Sequence, residues 1–412
     1  MLGNTPVGDA AIYADAGIYK LPPPPPGPPP PPLPTNGCTA GKLDPAARLG
    51  CPGWQPSWTV ANCEEAGCCW DPAPDPDPHG FAWCYANRTR PPTGTDPGGF
   101  YVDTDYFVAT SPGDPPTPFV DQGWWGSDHQ CGRDHCCIRN TSKTIGTVIF
   151  PHNLTVGNRT SGGNNAAAVL LPDRDTLVQF QPLYRCSPGS PILSLGFFFN
   201  EPWANLSITG DGALGAHGGS HLSSIGGTIR RGELDPDAPP IRHALKLMLW
   251  AKEYYWAGTA DIPCYRWPAT NCDGPASARA NPSDPNYYNG SNPDLKPGAL
   301  LAVPPTRARA VNGTLRTAVG RRLLDALTNY GGYLDDNTAG DAGAFNVEDG
   351  VEAEVATAYG GMRLHVSQAA DQPLYRDLLA IYKELHIVQN NKPGNVGGGG
   401  RRRRPTAPPI CP

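Results

Sequence analysis

The chain has 412 residues, and its 50 Pro and 49 Gly make up roughly a quarter of it, about twice the usual share. That density breaks any heptad seam and excludes a coiled coil. No apolar run reaches the roughly 18 residues of a membrane helix. A net charge of -6 gives no electrostatic footprint for nucleic acid. Hydrophobic residues, at 39%, still allow one or two buried cores.

Thirteen Cys point to an oxidising compartment. Asn87, Asn140, Asn153, Asn158, Asn205, Asn289 and Asn312 each begin an N-x-Ser/Thr triplet, which fits the secretory route. The first twenty residues carry neither the basic start nor the apolar stretch of a signal peptide. An extracellular location therefore implies a start upstream of this one.

In chain order, residues 1–36 hold the run LPPPPPGPPPPPLP, which predicts a disordered, polyproline II spacer. Residues 37–86 hold six cysteines. Residues 87–120 are rich in Pro, Thr, Gly and Asp and read as a linker. Residues 121–390 show periodic apolar pattern and form a larger domain, mainly β and of α+β class. In it, AAAVLL-PDRD-TLVQFQPL predicts a β-hairpin, and ILSLGFFF a short buried strand. HGGSHLSSIGG, from His217 to Gly227, is a Gly-rich loop. IRHALKLMLWAKEYYW is ambiguous: Leu245, Leu247 and Leu249 alternate as in a strand, while the length suits a helix. Val319, Leu323, Leu324, Leu327 and Tyr330 line one helical face, with Gly331 as the stop. Leu374, Leu378, Ile381, Tyr382 and Leu385 line a second helix that starts near Pro373. Residues 391–412, with GGGGRRRRP, predict a disordered tail.

Cys38, Cys51, Cys63, Cys68, Cys69 and Cys84 fall within about fifty residues, too few to build a stable core without staples. Six cysteines allow fifteen connectivities, and spacing does not choose among them. Adjacent Cys68 and Cys69 rarely bond to each other, so they reach two different partners. The motifs RLGC (Arg48 to Cys51), CEEAGCCWD (Cys63 to Asp71) and WCY (Trp83 to Tyr85) resemble the trefoil, or P-type, domain. That resemblance implies the pairs Cys38–Cys69, Cys51–Cys68 and Cys63–Cys84, together with secretion and association with glycans. The loops of twelve residues after Cys38 and fourteen after Cys69 are long for the family. A sugar cleft needs an aromatic face and a carboxylate, and Trp70, Asp71, Trp83 and Tyr85 are the candidates. The same aromatics would also serve as a small core.

Cys131, Cys136, Cys137, Cys186, Cys264, Cys272 and Cys411 remain, an odd number that leaves one thiol free or paired between chains. His129 and His135 beside the first three raise a zinc reading, but the compartment favours disulfides, and no metal or other cofactor is expected. Cys264 and Cys272 are close enough to close one loop. No nucleophile elbow, HExxH, P-loop or dinucleotide fingerprint appears. The remaining candidates for chemistry are His217 and His221, in a loop with Ser220, Ser223, Arg230 and Glu233, and the carboxylates Asp335, Asp336, Glu348, Asp349, Glu352 and Glu354. His217, His221 and Asp336 are the first choices, since a histidine titrates near neutral pH and a glycosidase needs two carboxylates. Residues 210–340 also resemble an uncharacterised secreted bacterial module through IRHAL, YRWPA and LLDALTNYGGYLDDN.

These features predict a multidomain protein: a small disulfide-rich trefoil followed by a larger mainly-β α+β domain. The leading expectation is an extracellular protein that binds wall, matrix or mucin-like glycans or a glycoprotein. A secreted glycoside hydrolase or polysaccharide lyase with its chemistry in 121–390 is the alternative, and a structural matrix protein the third.

Overall fold

The computed structural model describes residues 5–20, 96–122, 142–157, 164–195 and 206–402, except 211, 275, 285–286, 339 and 369–371. It also describes 404–405, Cys136 and the backbone of Cys69–Trp70 and Cys84–Tyr85. The polyproline run and most of the six-cysteine module, with its expected disulfides, lie outside these residues.

Strands β1 (Tyr13–Asp15), β2 (Cys69–Trp70) and β3 (Cys84–Tyr85) precede the long β4 (Gly99–Ala109). β2 and β3 pair with each other, antiparallel. β5 (Pro116–Asp121), β6 (Lys143–Ile149), β7 (Ala167–Leu170), β8 (Thr176–Phe180), β9 (Ile192–Ser194) and β10 (Leu206–Ser207) follow. Next come β11 (Leu245–Leu249), α1 (Ala251–Tyr254), α2 (Ala276–Arg279), β12 (Leu300–Ala302), α3 (Pro305–Thr314) and α4 (Ala318–Asn329). The rest are β13 (Gly332–Asn337), β14 (Ala342–Glu348), α5 (Val351–Ala358), β15 (Val366–Ser367), α6 (Pro373–Lys383) and β16 (His386–Val388). One mixed sheet runs β1-β16-β12-β13-β11-β14-β4-β7-β8-β10, with β15 also on β4, and β6-β5-β9 form a second sheet.

The large domain is mainly β, as expected, and several elements fall where the pattern put them. β7 and β8 form the predicted hairpin, with Leu170 opposite Leu177. The ambiguous run is a strand, β11, followed by one helical turn. α4 is closed at its start by Thr317, whose hydroxyl accepts from the Gly320 N–H at 2.8 Å. Gly331, at φ +75°, ends it in a conformation that costs other residues strain. α6 has Pro373 in its first turn. Val319, Leu323, Leu324 and Leu327 of α4 and Leu378 and Ile381 of α6 are all buried in the main core, each contributing about 1.5–3 kcal/mol of transfer free energy.

Three boundaries need correction. Residues 96–120 are not a linker: they contain β4 and most of β5, and Phe100 is fully buried. Residues 5–20 are not disordered, because β1 pairs antiparallel with β16 and Val7 and Ile18 are fully buried. The stretch from 391 is part of the same clasp. The Arg401 N–H donates to Asp9 Oδ1 at 2.6 Å, and Tyr330 Oη donates to the Pro405 carbonyl at 3.0 Å. The composition at both ends misled because the ordering contacts come from the other end of the chain.

Two disulfides join described cysteines: Cys136–Cys186 and, as expected, Cys264–Cys272. Cys131, Cys137 and Cys411 lie outside the described residues.

Candidate active site

In a strand, alternate side chains share a face. β11 sends Leu245, Leu247 and Leu249 into the core beneath the helices and turns Lys246 to the other face. β4 and β14 run parallel, with Asp103 opposite Asn346, so Asp103, Asp105 and Asn346 share that second face. β13 carries a register irregularity against β11, where the step from Leu247 to Met248 faces the step from Leu334 to Asp336. The extra residue is Asp335. A bulge of this kind re-aims side chains and is over-represented beside active sites. Here it delivers both Asp335 and Asp336 to the turn that begins at His217.

His217 is wholly buried at the centre. Its Nε2 lies 3.0 Å from Asp105 Oδ1 and 3.5 Å from Asp103 Oδ2. Its Nδ1 lies 3.0 Å from Asp335 Oδ2, yet off the line a hydrogen bond requires, so neither that nitrogen nor the Asp335 oxygens have a hydrogen-bond partner. This contact is an ion contact. Lys246 Nζ donates to Asp105 Oδ2 at 2.8 Å, and Thr228 Oγ1 donates to the same oxygen. Asn346 Nδ2 sits 2.7 Å from His217 Nε2.

The carboxylates and the imidazole set one another's protonation. Burial and the Lys246 charge oppose a charged His217, but Asp105, Asp335 and Asp103 outweigh them, and its pKa is pushed up to about 10. Burial would raise Asp105, yet Lys246 and His217 hold it below the usual range. Burial raises Asp335 to about 6 against the pull of the same two cations. Asp336 is raised well above the carboxylate range, by burial first and then by Asp273 and Asp335. Burial also raises Asp273.

Two glycines make this crowding possible. A Cβ on Gly218, at φ +53°, would stand 2.5 Å from Asp336 Cγ, and one on Gly219 2.2 Å from Asp273 Oδ1. At the rim, the Asn164 amide donates to Asp336 Oδ2 at 2.9 Å and to Asp103 Oδ2 at 3.2 Å. Asp103, at the edge of the cluster, is 16% exposed.

Of the three first-choice residues, the fold brings His217 and Asp336 together. His221, at φ +56°, lies farther along the same loop, 3.2 Å from Asn271 Nδ2. Asp335 joins the cluster. Arg230, Glu233 and Glu348 form a separate group: Arg230 Nε donates to Glu348 Oε2 at 2.8 Å. Asp349 and Glu354 bind the Arg231–Gly232 turn, and Glu352 binds His365. Ser220 and Ser223 serve the loop itself, receiving the N–H groups of Leu222 and Gly226. Sequence reading missed Asp103, Asp105, Asn164, Lys246, Asp273 and Asn346. Of the glycan candidates, the backbone of Trp70 and Tyr85 lies on paired β2 and β3. Asp71, Trp83 and the side chains of Trp70 and Tyr85 lie outside the described residues.

The family model of the Trefoil (P-type) domain matches residues 38–87. This segment is a trefoil module. At the level of the family, a trefoil points to a secreted, glycan-associated protein. No curated protein and no solved structure matches the chain. Among the described residues no helix is long and apolar enough to cross a membrane. The described glycosylation triplets, at Asn153, Asn289 and Asn312, all have an exposed Asn.

Proposed function

We propose that the protein is a secreted carbohydrate-active enzyme: the large domain cleaves an extracellular glycan, and the trefoil holds it. The observation that carries this reading is the Asn164 amide shared by Asp336 and Asp103. It limits their Oδ2 atoms to a separation of at most about 6 Å, a bound that admits the short end of the range of about 5–9.5 Å for glycosidase carboxylate pairs. Asp336 retains a proton to a pH where an ordinary carboxyl has lost it, which suits a general acid. Asp103, at the exposed edge, is its carboxylate partner. Trp70, Asp71, Trp83 and Tyr85 are the proposed glycan contacts of the trefoil.

The full chain, assayed on a polysaccharide panel for retention and for product release, tests this reading. Wild type releases product from at least one polymer. D336N loses about 10²–10⁴-fold of that rate while retention stays, and W83A weakens retention. Retention without release by wild type makes the protein a glycan binder, the reading that the trefoil match favours taken alone. Release by D336N at the wild-type rate removes Asp336 from the chemistry.

A further inference from the structure

The His217 cluster has the donor set, spacing and outer support of a metal site. We propose that Asp103, Asp105 and His217 bind a divalent ion of the Zn²⁺ or Mn²⁺ kind. Asp103 Oδ2, Asp105 Oδ1 and His217 Nε2 all lie within 4.8 Å of one another, with Nε2 at 3.0 and 3.5 Å from the two oxygens. Ligands held about 2.0–2.2 Å from a tetrahedral ion are spaced by about 3.3–3.6 Å, so little movement would close the set.

For Asp105 and His217 the inward atom is backed by a fixed outward one. Asp105 turns Oδ1 inward because Lys246 and Thr228 hold Oδ2. His217 turns Nε2 inward because Nδ1 faces Asp335 at 3.0 Å. A carboxylate behind the far ring nitrogen is the usual outer partner of a metal-binding histidine. Asp335 is fully buried and neither of its oxygens has a hydrogen-bond partner, so this carboxylate is kept in the interior for its charge.

A second observation is independent of the acids. Asn346 is fully buried, its Oδ1 has no hydrogen-bond partner, and its Nδ2 stands 2.7 Å from His217 Nε2 and 3.4 Å from Asp105 Oδ1. The two ends of an amide exchange by a half-turn. Turned, Asn346 places a carbonyl oxygen where the other three donors converge. Charge agrees. The carboxylates Asp103, Asp105 and Asp335 outnumber the cations Lys246 and His217, and an excess of negative charge around a buried ring calls for a further cation. An imidazole nitrogen beside carboxylate oxygens selects Zn²⁺ or Mn²⁺ over Ca²⁺, which takes oxygen ligands.

The site goes beyond the glycan reading and stands without it, since binding is measured on the resting protein. The test is calorimetric titration of the full chain, stripped by a chelator, with Zn²⁺, Mn²⁺ and Ca²⁺ separately, with near-ultraviolet circular dichroism as a check on folding. One equivalent of Zn²⁺ or Mn²⁺ is expected to bind. D103N, at the rim rather than in the fully buried part of the cluster, weakens it at least about tenfold; D335N weakens it about 10–100-fold with the stoichiometry kept. No heat from either ion, or an affinity that folded D103N leaves unchanged, overturns the proposal. Ca²⁺ binding tighter than both overturns the assignment of the ion.

Discussion

Two clusters of charged side chains share strands β4 and β14 and differ in balance. Around Arg230, the cations Arg230 and His243 meet Glu348 and Glu233. His243 Nε2 lies 3.0 Å from Glu233 Oε2, its Nδ1 2.9 Å from the Ala244 carbonyl, and the Arg230 guanidinium covers Phe107 at 4.6 Å. Around His217, Asp103, Asp105, Asp335 and Asp336 crowd one lysine and one histidine, and His217 Nδ1, both Asp335 carboxylate oxygens and Asn346 Oδ1 go without hydrogen bonds, against Arg230 Nη1 alone among the four charged side chains of the first cluster. The first cluster ties a loop to a sheet. The second keeps charge and orphaned atoms that only a proton, an ion or a substrate would answer. Charge balance, more than burial, separates the two networks.

The sharpest way to break that contrast is to remove Lys246. K246M leaves Asp105 buried without its ammonium, and removing one partner of a buried pair costs about 3–5 kcal/mol. Denaturant unfolding should show that loss, and D105N added to K246M should recover much of it. A cost under about 1 kcal/mol would mean that the His217 cluster tolerates imbalance and needs no compensating cation.

A smaller effect is expected in the glycine cradle. G218A sets a methyl 2.5 Å from Asp336 Cγ at a positive φ, so Asp336 must move. Stability should fall by about 1–3 kcal/mol, and glycan release, or the turnover of any small glycoside that serves as substrate, should fall with it. G232A, at φ +78° with Asp235 Oδ2 as its nearest neighbour at 3.8 Å, strains the backbone without touching the cluster. It should cost stability and leave turnover in place.

What was legible in the chain follows the range of the contacts. α4 and α6 announce themselves because their apolar residues recur every three or four positions, and the β7–β8 hairpin because a turn joins two β-rich runs. His217 and Asp336 were within reach as a Gly-rich loop and an acidic pair. The other half of the site lay in YVDTDYFV, whose alternation puts Asp103 and Asp105 on one strand face. The surrounding Pro, Gly and Thr hid that strand within an apparent linker. Lys246 sat in plain alternation between Leu245 and Leu247. Asn164, Asp273 and Asn346 carry no local signal, since only contacts between segments far apart in the chain bring them to Asp336 and His217. The clasp of β1 on β16 escaped for the same reason, since it pairs Tyr13 with Val388 and Asp15 with His386 from opposite ends of the chain.

The balanced cluster yields the clearest pH signature. Burial opposes a charged His243, but Glu233 and the Ala244 carbonyl raise its pKa above the ordinary 6.5. Burial likewise opposes an ionised Glu233, but His243 and the Arg230 N–H lower its pKa below 4.5. A histidine raised in the folded state contributes stability that is complete below its unfolded value and lost as pH rises through the folded one. A lowered glutamate contributes stability that is complete above its unfolded value and lost as pH falls through the folded one. The two windows overlap between about 4.5 and 6.5. The gap in unfolding free energy between wild type and H243Q should therefore peak there, at about 1–3 kcal/mol for a hydrogen bond between charged groups, and shrink toward both ends of the pH scale. A gap that stays flat from pH 4 to 9 would mean that His243 is held as a neutral ring by packing, and the cluster would then owe its order to Arg230 and Glu348 alone.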